Sequence, residues 1–346
     1  MAPQQKSALN IVMGCMTFGA EGKEGTSYLY ESALIRAEGF LIGARVHTLK
    51  EVEAILDVFQ AHGHSELDTA RVYTGGTSEE MLGDIDWKKR GLVMETKLYP
   101  NVANARLQGA GVGLISHKPE DLRLYLDVSL KALKADKIDM WYLHGPDRTT
   151  PFEDTLKGVN DLYKEGKFER FGISNFMAWE VAEMIAICNA NGYIKPTAYQ
   201  GIYNAVHRQA FNLSLRLIIG GGFFTGRYRS LHDEPEPGSR FDPTKGQGRN
   251  YRNRYWNEAY FKALASIEAV TSKHNLTLAE VALRWISHHS LLKREYGDAV
   301  IIGASSLNHI EQNLVDLEKG PLPDDIVETL DEAWSSVKAH STKYFH

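Results

Sequence analysis

Six polar side chains stand where short apolar runs give out: Asp68, Lys97, His144, Ser174, Asn175 and Gln200. The runs are LDTA (67–70), GLVMETK (91–97), IDMWYLHG (138–145), FERFGISN (168–175) and PTAYQ (196–200). A carboxylate, an ammonium and an imidazole are groups that move protons. The hydroxyl and the two amides are hydrogen-bonding groups suited to holding a polar ligand. Taken singly each has a plainer use. A lone Asp at a strand end commonly caps a helix or forms a turn, and Asn175 could cap the helix that follows it. A tyrosine five residues past an aspartate, as Tyr73 is, is commonly a surface residue.

The elements that must position these groups alternate regularly. Residues 10–16 read as a strand, and 49–62 (LKEVEAILDVFQAH) as a helix with Val52, Ile55, Leu56 and Phe59 at helical spacing and Gly63 as its stop. The five runs above are strands. Between and after them lie helices at 119–134, with Pro119 in its first turn, and at 152–165, 178–191, 276–289 and 307–319. AVIIG (299–303) is a late strand, and a last helix covers 323–337. Strands spaced by helices imply βαβ units and a parallel sheet. Seven or eight such units in one chain predict a closed (β/α)8 TIM barrel, read as a single domain over 1–346. The strand ends of such a barrel converge on one face, which carries the active site.

Composition narrows the function classes. The 346 residues carry a net charge of −5 with 43% hydrophobic and 24% charged residues, an ordinary globular balance. An acidic balance argues against nucleic acid and gives no reason for a membrane partner. Cys15 and Cys188 are too few for a disulfide framework and read as inert core residues. His62 and His64 lack further ligands at metal-site spacing, so no metal is expected. The N-terminus lacks the apolar stretch of a signal peptide, and the expected location is the cytoplasm.

The ordered motifs LDTARVY (67–73), ETK (95–97), YLHGPD (142–147), GISN (172–175), YQGIYN (199–204), GGFFTGRY (221–228) and IIGASSLNHIEQN (301–313) resemble the aldo-keto reductase superfamily. EGKF (165–168), AWEVAE (178–183) and YRNRYW (251–256) resemble its aflatoxin-aldehyde reductase branch. The resemblance runs over nearly the whole chain. It implies a catalytic tetrad at Asp68, Tyr73, Lys97 and His144, and NADPH as cofactor. Hydride addition to a carbonyl leaves a developing alkoxide that needs a proton. A free tyrosine, with a pKa of ~10, gives one reluctantly near neutrality. A neighbouring ammonium would lower that value by about 1–3 pH units. Asp68 would fix Lys97 and keep it charged, and His144 would orient the carbonyl oxygen.

The resemblance further assigns Ser174, Asn175 and Gln200 to the nicotinamide carboxamide. Gly221, Gly222, Gly226 and Arg227 would offer backbone NH groups and charge to the pyrophosphate. Ser305 and Ser306, at a helix start that favours anions, would take the adenosine 2′-phosphate end with Gln312 and Asn313. Arg240 matches a cofactor-contacting arginine and favours NADPH over NADH, because a guanidinium pairs with a phosphate. Tyr251 and Arg254 match substrate positions, and a cationic pocket suits succinic semialdehyde as well as dialdehydes. Related reductases of this branch pair as dimers, so the resemblance allows a homodimer, though the sequence itself does not set the oligomeric state.

Two segments depart from the family. TSYLYESALIRAEGFLIG (26–43) is an extra segment after the first strand, a lid or a translated intron. After Gln209 only AFNLSLRLIIG (210–220) stands where relatives have a helix and a strand, so the seventh unit is truncated, with LRLII (215–219) as a makeshift strand. A long loop is expected over 229–255. The truncation leaves two rival readings beside a reductase: a cofactor-binding regulatory module like the channel β subunits, and an inactive mis-spliced paralogue.

Overall fold

The computed structural model describes residues 4–22, 43–103, 113–209, 215–218, 223–237 and 239–345. Most of the extra segment 26–43, Gly221 and Gly222 lie outside the described residues. Eight strands follow one another in chain order around a closed barrel. They are β1 (Asn10–Gly14), β2 (Glu66–Asp68), β3 (Val93–Leu98), β4 (Ile138–Leu143), β5 (Phe168–Ser174), β6 (Ala198–Ile202), β7 (Leu215–Ile218) and β8 (Ala299–Gly303). The chain falls into two compact units. One comprises Met13–Ala54, Ser65–Gln200 and Phe345–His346, and the other Met1–Val12, Ile55–His64 and Gly201–Tyr344.

The first unit holds parallel pairs that fix which strand ends are neighbours. Asp68 registers with Glu95, Lys97 with Tyr142, Tyr142 with Gly172, and Ser174 with Gln200. Its helices α2 (Thr77–Asp84), α3 (Pro119–Ala132), α4 (Phe152–Lys164) and α5 (Ala178–Asn191) follow the strands in turn. Helix α4 shows why these segments form helices. Glu153 and Asp154 lie in its first turn and Lys164 in its last, complementing the helix dipole, while Leu156, Val159 and Leu162 form the buried stripe. Helix α5 ends at Gly192, whose φ of 66° provides the left-handed cap.

In the second unit β7 pairs in parallel with β8, Arg216 with Ala299 through Ile218 with Ile301. LRLI is therefore a genuine strand. Between β6 and β7 no helix occurs among the described residues; Asn204 and His207 instead close a small antiparallel bridge. The seventh unit is short, as the sequence implies. The span 229–255, expected to be all loop, ends in a helix, α6 (Gly246–Tyr255), which α7 (Glu258–Thr271) follows. Its sequence GQGRNYRNRY carries no apolar stripe at helical spacing, so the pattern gave no sign of it. Helix α7 carries Asn257 as its cap, the side chain accepting from the Tyr260 NH. Helices α8 (Leu278–His288), α9 (Leu307–Leu317) and α10 (Asp324–Val337) complete the unit, and α1 (Leu49–Ala61) spans residues of both. No helix among the described residues is long and apolar enough to cross a membrane.

Candidate active site

The register that sets Asp68 opposite Glu95 brings the carboxylate at the end of β2 to the ammonium near the end of β3. Lys97 Nζ donates to Asp68 Oδ1 at 2.7 Å and to the Thr69 carbonyl at 2.6 Å. Both side chains are buried, Lys97 completely. Burial by itself would push the ammonium pKa down. The nearby Asp68 carboxylate, the Tyr73 phenol and the hydrogen bond to Asp68 outweigh it and hold Lys97 above its ordinary value. The other Asp68 oxygen, Oδ2, accepts from Gln200 Nε2 at 2.7 Å.

Tyr73 begins a kinked turn, Tyr73–Gly76, between β2 and α2, in which Thr74 and Gly75 take left-handed backbone. Its ring is buried, and Lys97 Nζ stands 5.1 Å from the ring centroid. The turn is pinned from several sides. Thr74, at φ 49°, donates its hydroxyl to the Phe18 carbonyl at 3.0 Å, and the Arg71 NH reaches the Lys97 carbonyl. Gly76 has φ 93°, and a Cβ there would lie 1.3 Å from Arg71 Nη2. Arg71 in turn bonds the fully buried Glu79 at 2.7 Å, whose second oxygen accepts from Thr96 Oγ1 at 2.6 Å. The loop that presents Tyr73 is thereby tied to β3, the strand that carries Lys97.

His144 follows β4 directly. Its ring meets Tyr73 edge-on at 5.6 Å between centroids and Tyr99 edge-on at 5.4 Å. The imidazole is thus held between two aromatic rings. Burial pushes the Tyr99 phenol up, which suits a packing role. Asp68, Tyr73, Lys97 and His144 therefore come together in one unit of the protein.

Ser174, Asn175 and Gln200 gather beside them. Asn175 has φ 65°, and its Nδ2 donates to the His144 carbonyl at 2.9 Å and to Ser174 Oγ at 3.0 Å. It does not cap α5: the Glu180 carboxylate caps that helix by accepting from the Met177 NH at 2.7 Å. Asn175 thus serves the strand ends, against the plainer reading of it as a helix cap. Cys15, at the end of β1, gives its NH to the Asp68 carbonyl at 2.8 Å, and burial pushes its thiol well up. Cys188 is also buried, its thiol pushed up to about 11.

The remaining candidate residues lie in the second unit. Ser306 caps α9 by accepting from the His309 NH, and Ser305 Oγ lies 2.9 Å from His309 Nδ1. Asn313 Nδ2 bonds the Gly303 carbonyl at 3.4 Å, and Gln312 Nε2 bonds Asp316 at 3.0 Å. A Cβ on Gly303 would lie 3.4 Å from Arg240 Nη2, so a guanidinium stands at the end of β8, next to the α9 start. A fixed cation and a helix N-terminus suit an anionic group, which is what the phosphate end of a dinucleotide presents. Arg240 and Arg254 both lie over the Tyr251 ring, at 5.9 and 5.8 Å. Gly226 has φ 66°, and Arg227 pairs with Glu236 at 2.6 Å, both side chains being exposed. Among the described residues no group of His, Cys, Asp and Glu is placed to hold a metal; His62 bonds Glu318 at 2.6 Å.

Sequence reasoning missed the supports: Glu79, Glu95, Tyr99 and Tyr142. For Glu95 a signal existed, since it lies two residues before Lys97 and strand alternation puts both on one face. Tyr99 and Glu79 lie outside any regular strand pattern.

Residues 40–335 match the model of the aldo/keto reductase family. The chain is 46% identical over 330 residues to the aldo-keto reductase pigE of Monascus ruber, covering 91% of this chain and 96% of that one. It is 40% identical over 312 residues to the mouse aflatoxin B1 aldehyde reductase member 2, covering 84% and 82%. Human aldo-keto reductase family 7 member A3 is 38% identical over 314 residues, covering 84% and 91%. Among solved structures, the glycerol dehydrogenase AKR11B4 of Gluconobacter oxydans shares the fold, with a TM-score of 0.67 at 18% identity over 97% of this chain and 93% of that one. The chain belongs to the aldo/keto reductase family, an oxidoreductase family built on the (β/α)8 barrel.

Proposed function

We propose that this protein reduces aldehydes to alcohols with NADPH, Tyr73 giving the proton. The observation that carries the proposal is the buried Asp68–Lys97 pair, with Tyr73 stacked over the ammonium and His144 edge-on to the Tyr73 ring. When bound, the reduced nicotinamide supplies hydride. Tyr73 donates its hydroxyl proton to the oxygen that becomes the alcohol. Lys97, kept charged by Asp68, stabilises the phenolate left behind. His144, oriented by Tyr73 and Tyr99, holds the carbonyl oxygen. Ser174, Asn175 and Gln200 take the carboxamide; Asn175 bonds Ser174 and Gln200 bonds Asp68, which supports this reading by holding them beside the tetrad. Arg240 and the start of α9 take the 2′-phosphate, which favours NADPH over NADH.

Relatives named for aflatoxin B1 aldehyde support an aldehyde as substrate class. Tyr251 with Arg254 is the candidate for holding an acidic or polar substrate group, as in succinic semialdehyde. The test is Tyr73→Phe, followed by NADPH absorbance with succinic semialdehyde or a nitrobenzaldehyde. Reduction should be abolished while NADPH binding stays nearly unchanged; turnover within about tenfold of wild type sinks the acid assignment.

The stretch without a described helix between β6 and β7 favours one other reading, a damaged, inactive product. Failure of the wild-type chain to bind NADPH would favour it. Intact binding without turnover would favour a cofactor-binding regulatory module instead.

A further inference from the structure

A second carboxylate, which the proposed reaction does not use, lies inside the Met13–Gln200 part of the chain. Glu95 stands two residues before Lys97 on β3, on the same face of the strand and one layer nearer the strand's start. It is fully buried. Its Oε2 accepts from the Tyr142 hydroxyl at 3.2 Å, and its Oε1 lies 3.8 Å from Arg170 Nη2. The same Arg170 nitrogen bonds Glu66 Oε1 at 2.8 Å. The Tyr142 ring lies between the two layers, its centroid 5.9 Å from Lys97 Nζ. Gly172 makes room for that ring, since a Cβ there would come within 2.3 Å of Tyr142 Cε1.

The charges along this column alternate in sign: Asp68, Lys97, Glu95, Arg170, Glu66. Burying a carboxylate costs several kcal/mol, and a well-packed apolar residue would commonly serve stability as well or better. Stability alone therefore gives little reason for an anion at this depth.

We propose that Glu95 is a positioning residue for the proton donor: held by Tyr142 and Arg170, its carboxylate sets the field in which both the Lys97 ammonium and the Tyr73 hydroxyl hold their protons. This rests on the reading of Tyr73 as the acid. Glu95 is among the groups that hold the Lys97 ammonium above its ordinary value, after Asp68 and Tyr73 and against the larger opposing effect of burial. The groups facing the pair are Asp68 and Glu66 from β2, Tyr99 just after β3, Tyr142 from β4 and His144 just after it, Arg170 from β5 and Cys15 from the end of β1. The Cys15 thiol is held well above its ordinary value by burial and by Asp68.

The sign follows from Coulomb's law. Removing the Glu95 charge makes a phenolate at Tyr73 easier to form and an ammonium at Lys97 harder to keep. Both protons then leave at lower pH.

The test uses the full chain and two readouts. Ultraviolet difference absorbance, wild type minus Tyr73→Phe, isolates the ionisation of Tyr73. The same difference is taken in the Glu95→Gln background, and the alkaline limb of kcat for nitrobenzaldehyde reduction is followed beside it. The expected result is a Tyr73 titration moved to lower pH by about 0.5–1.5 pH units, with the alkaline limb moving with it. A merely structural role would lower stability and leave both unmoved, and that outcome in folded Glu95→Gln overturns the proposal. If Glu95→Gln fails to fold, Tyr142→Phe decides, because it removes no charge and takes from the Glu95 carboxylate the hydroxyl that donates to it. The titration then moves to higher pH; no movement, or movement to lower pH, overturns the proposal. If Tyr73→Phe keeps turnover, the function reading fails, while the absorbance titration still reports whether Glu95 acts on Tyr73.

Discussion

Lys97 Nζ lies 2.7 Å from Asp68 Oδ1 with both side chains shut away from solvent, and the Thr69 carbonyl accepts a second bond from the ammonium at 2.6 Å. Such a pair is held in place by mutual need. Removing one partner strands a buried charge, whereas removing both leaves a cavity that an apolar side chain can fill. Asp68→Asn should destabilise the chain by about 3–5 kcal/mol in urea unfolding, and Asp68→Asn with Lys97→Met should recover most of that loss. A double variant as unstable as the single one would show that the ion pair is not what holds this corner together.

The Tyr142 ring occupies space that Gly172 leaves open, so Gly172→Ala drives a methyl group against it. Overpacking of this kind costs about 1–3 kcal/mol. We expect a lowered denaturation midpoint. Adding Tyr142→Leu, which takes the ring away, should make the Gly172→Ala substitution nearly neutral in that background. Equal costs in both backgrounds would contradict the packing account.

Arg240 stands at the end of β8 beside the capped start of α9. A charge-assisted contact to a phosphate is worth about 1.5–3 kcal/mol. Arg240→Ala should therefore weaken NADPH binding by about 10–100-fold, read by fluorescence titration, while NADH binding changes by less than about threefold. Equal weakening of both cofactors would remove the 2′-phosphate from the assignment.

Three buried histidines set an acid limit on stability. Burial lowers His64, His117 and His207 to about 4 each; His62 adds to this at His64, and Arg254 at His207, while Asp147 and Asp121 oppose it at His117. The unfolded chain takes up these protons near 6.5 and the folded chain only near 4. Stability should accordingly fall as pH drops from about 6.5 towards 4, because protons favour the unfolded state throughout that window. Thermal melts over this range should show the slope, and His117→Met should flatten part of it. An unchanged slope in that variant would mean that other groups govern acid unfolding.

Regular elements were legible in the sequence because apolar periodicity is a local property. Helices at 178–191 and 307–319 and strands at 138–145 and 299–303 all appear within two residues of the expected ends. Helix α6 was not legible, since its first eight residues are polar or glycine but for Tyr251 and nothing marks an apolar face. The short turn carrying Tyr73 was equally silent. Its form depends on Thr74 reaching Phe18 and on Arg71 reaching Glu79, partners that no local pattern names.

By itself, the sequence determined which polar residues end the strands and that the strands run parallel. Alternating apolar runs and helical stripes leave few other ways to bury that surface. Only the tertiary structure decided how those ends engage one another. It turned Asn175 from a helix cap into a clamp on His144, gave both Asp68 oxygens to Lys97 and Gln200, and put Glu95 in the layer next to the ammonium. The reason is register: whether two side chains on different strands meet is fixed by a shift of a few ångströms between backbones, and that shift is set by pairing across the whole sheet.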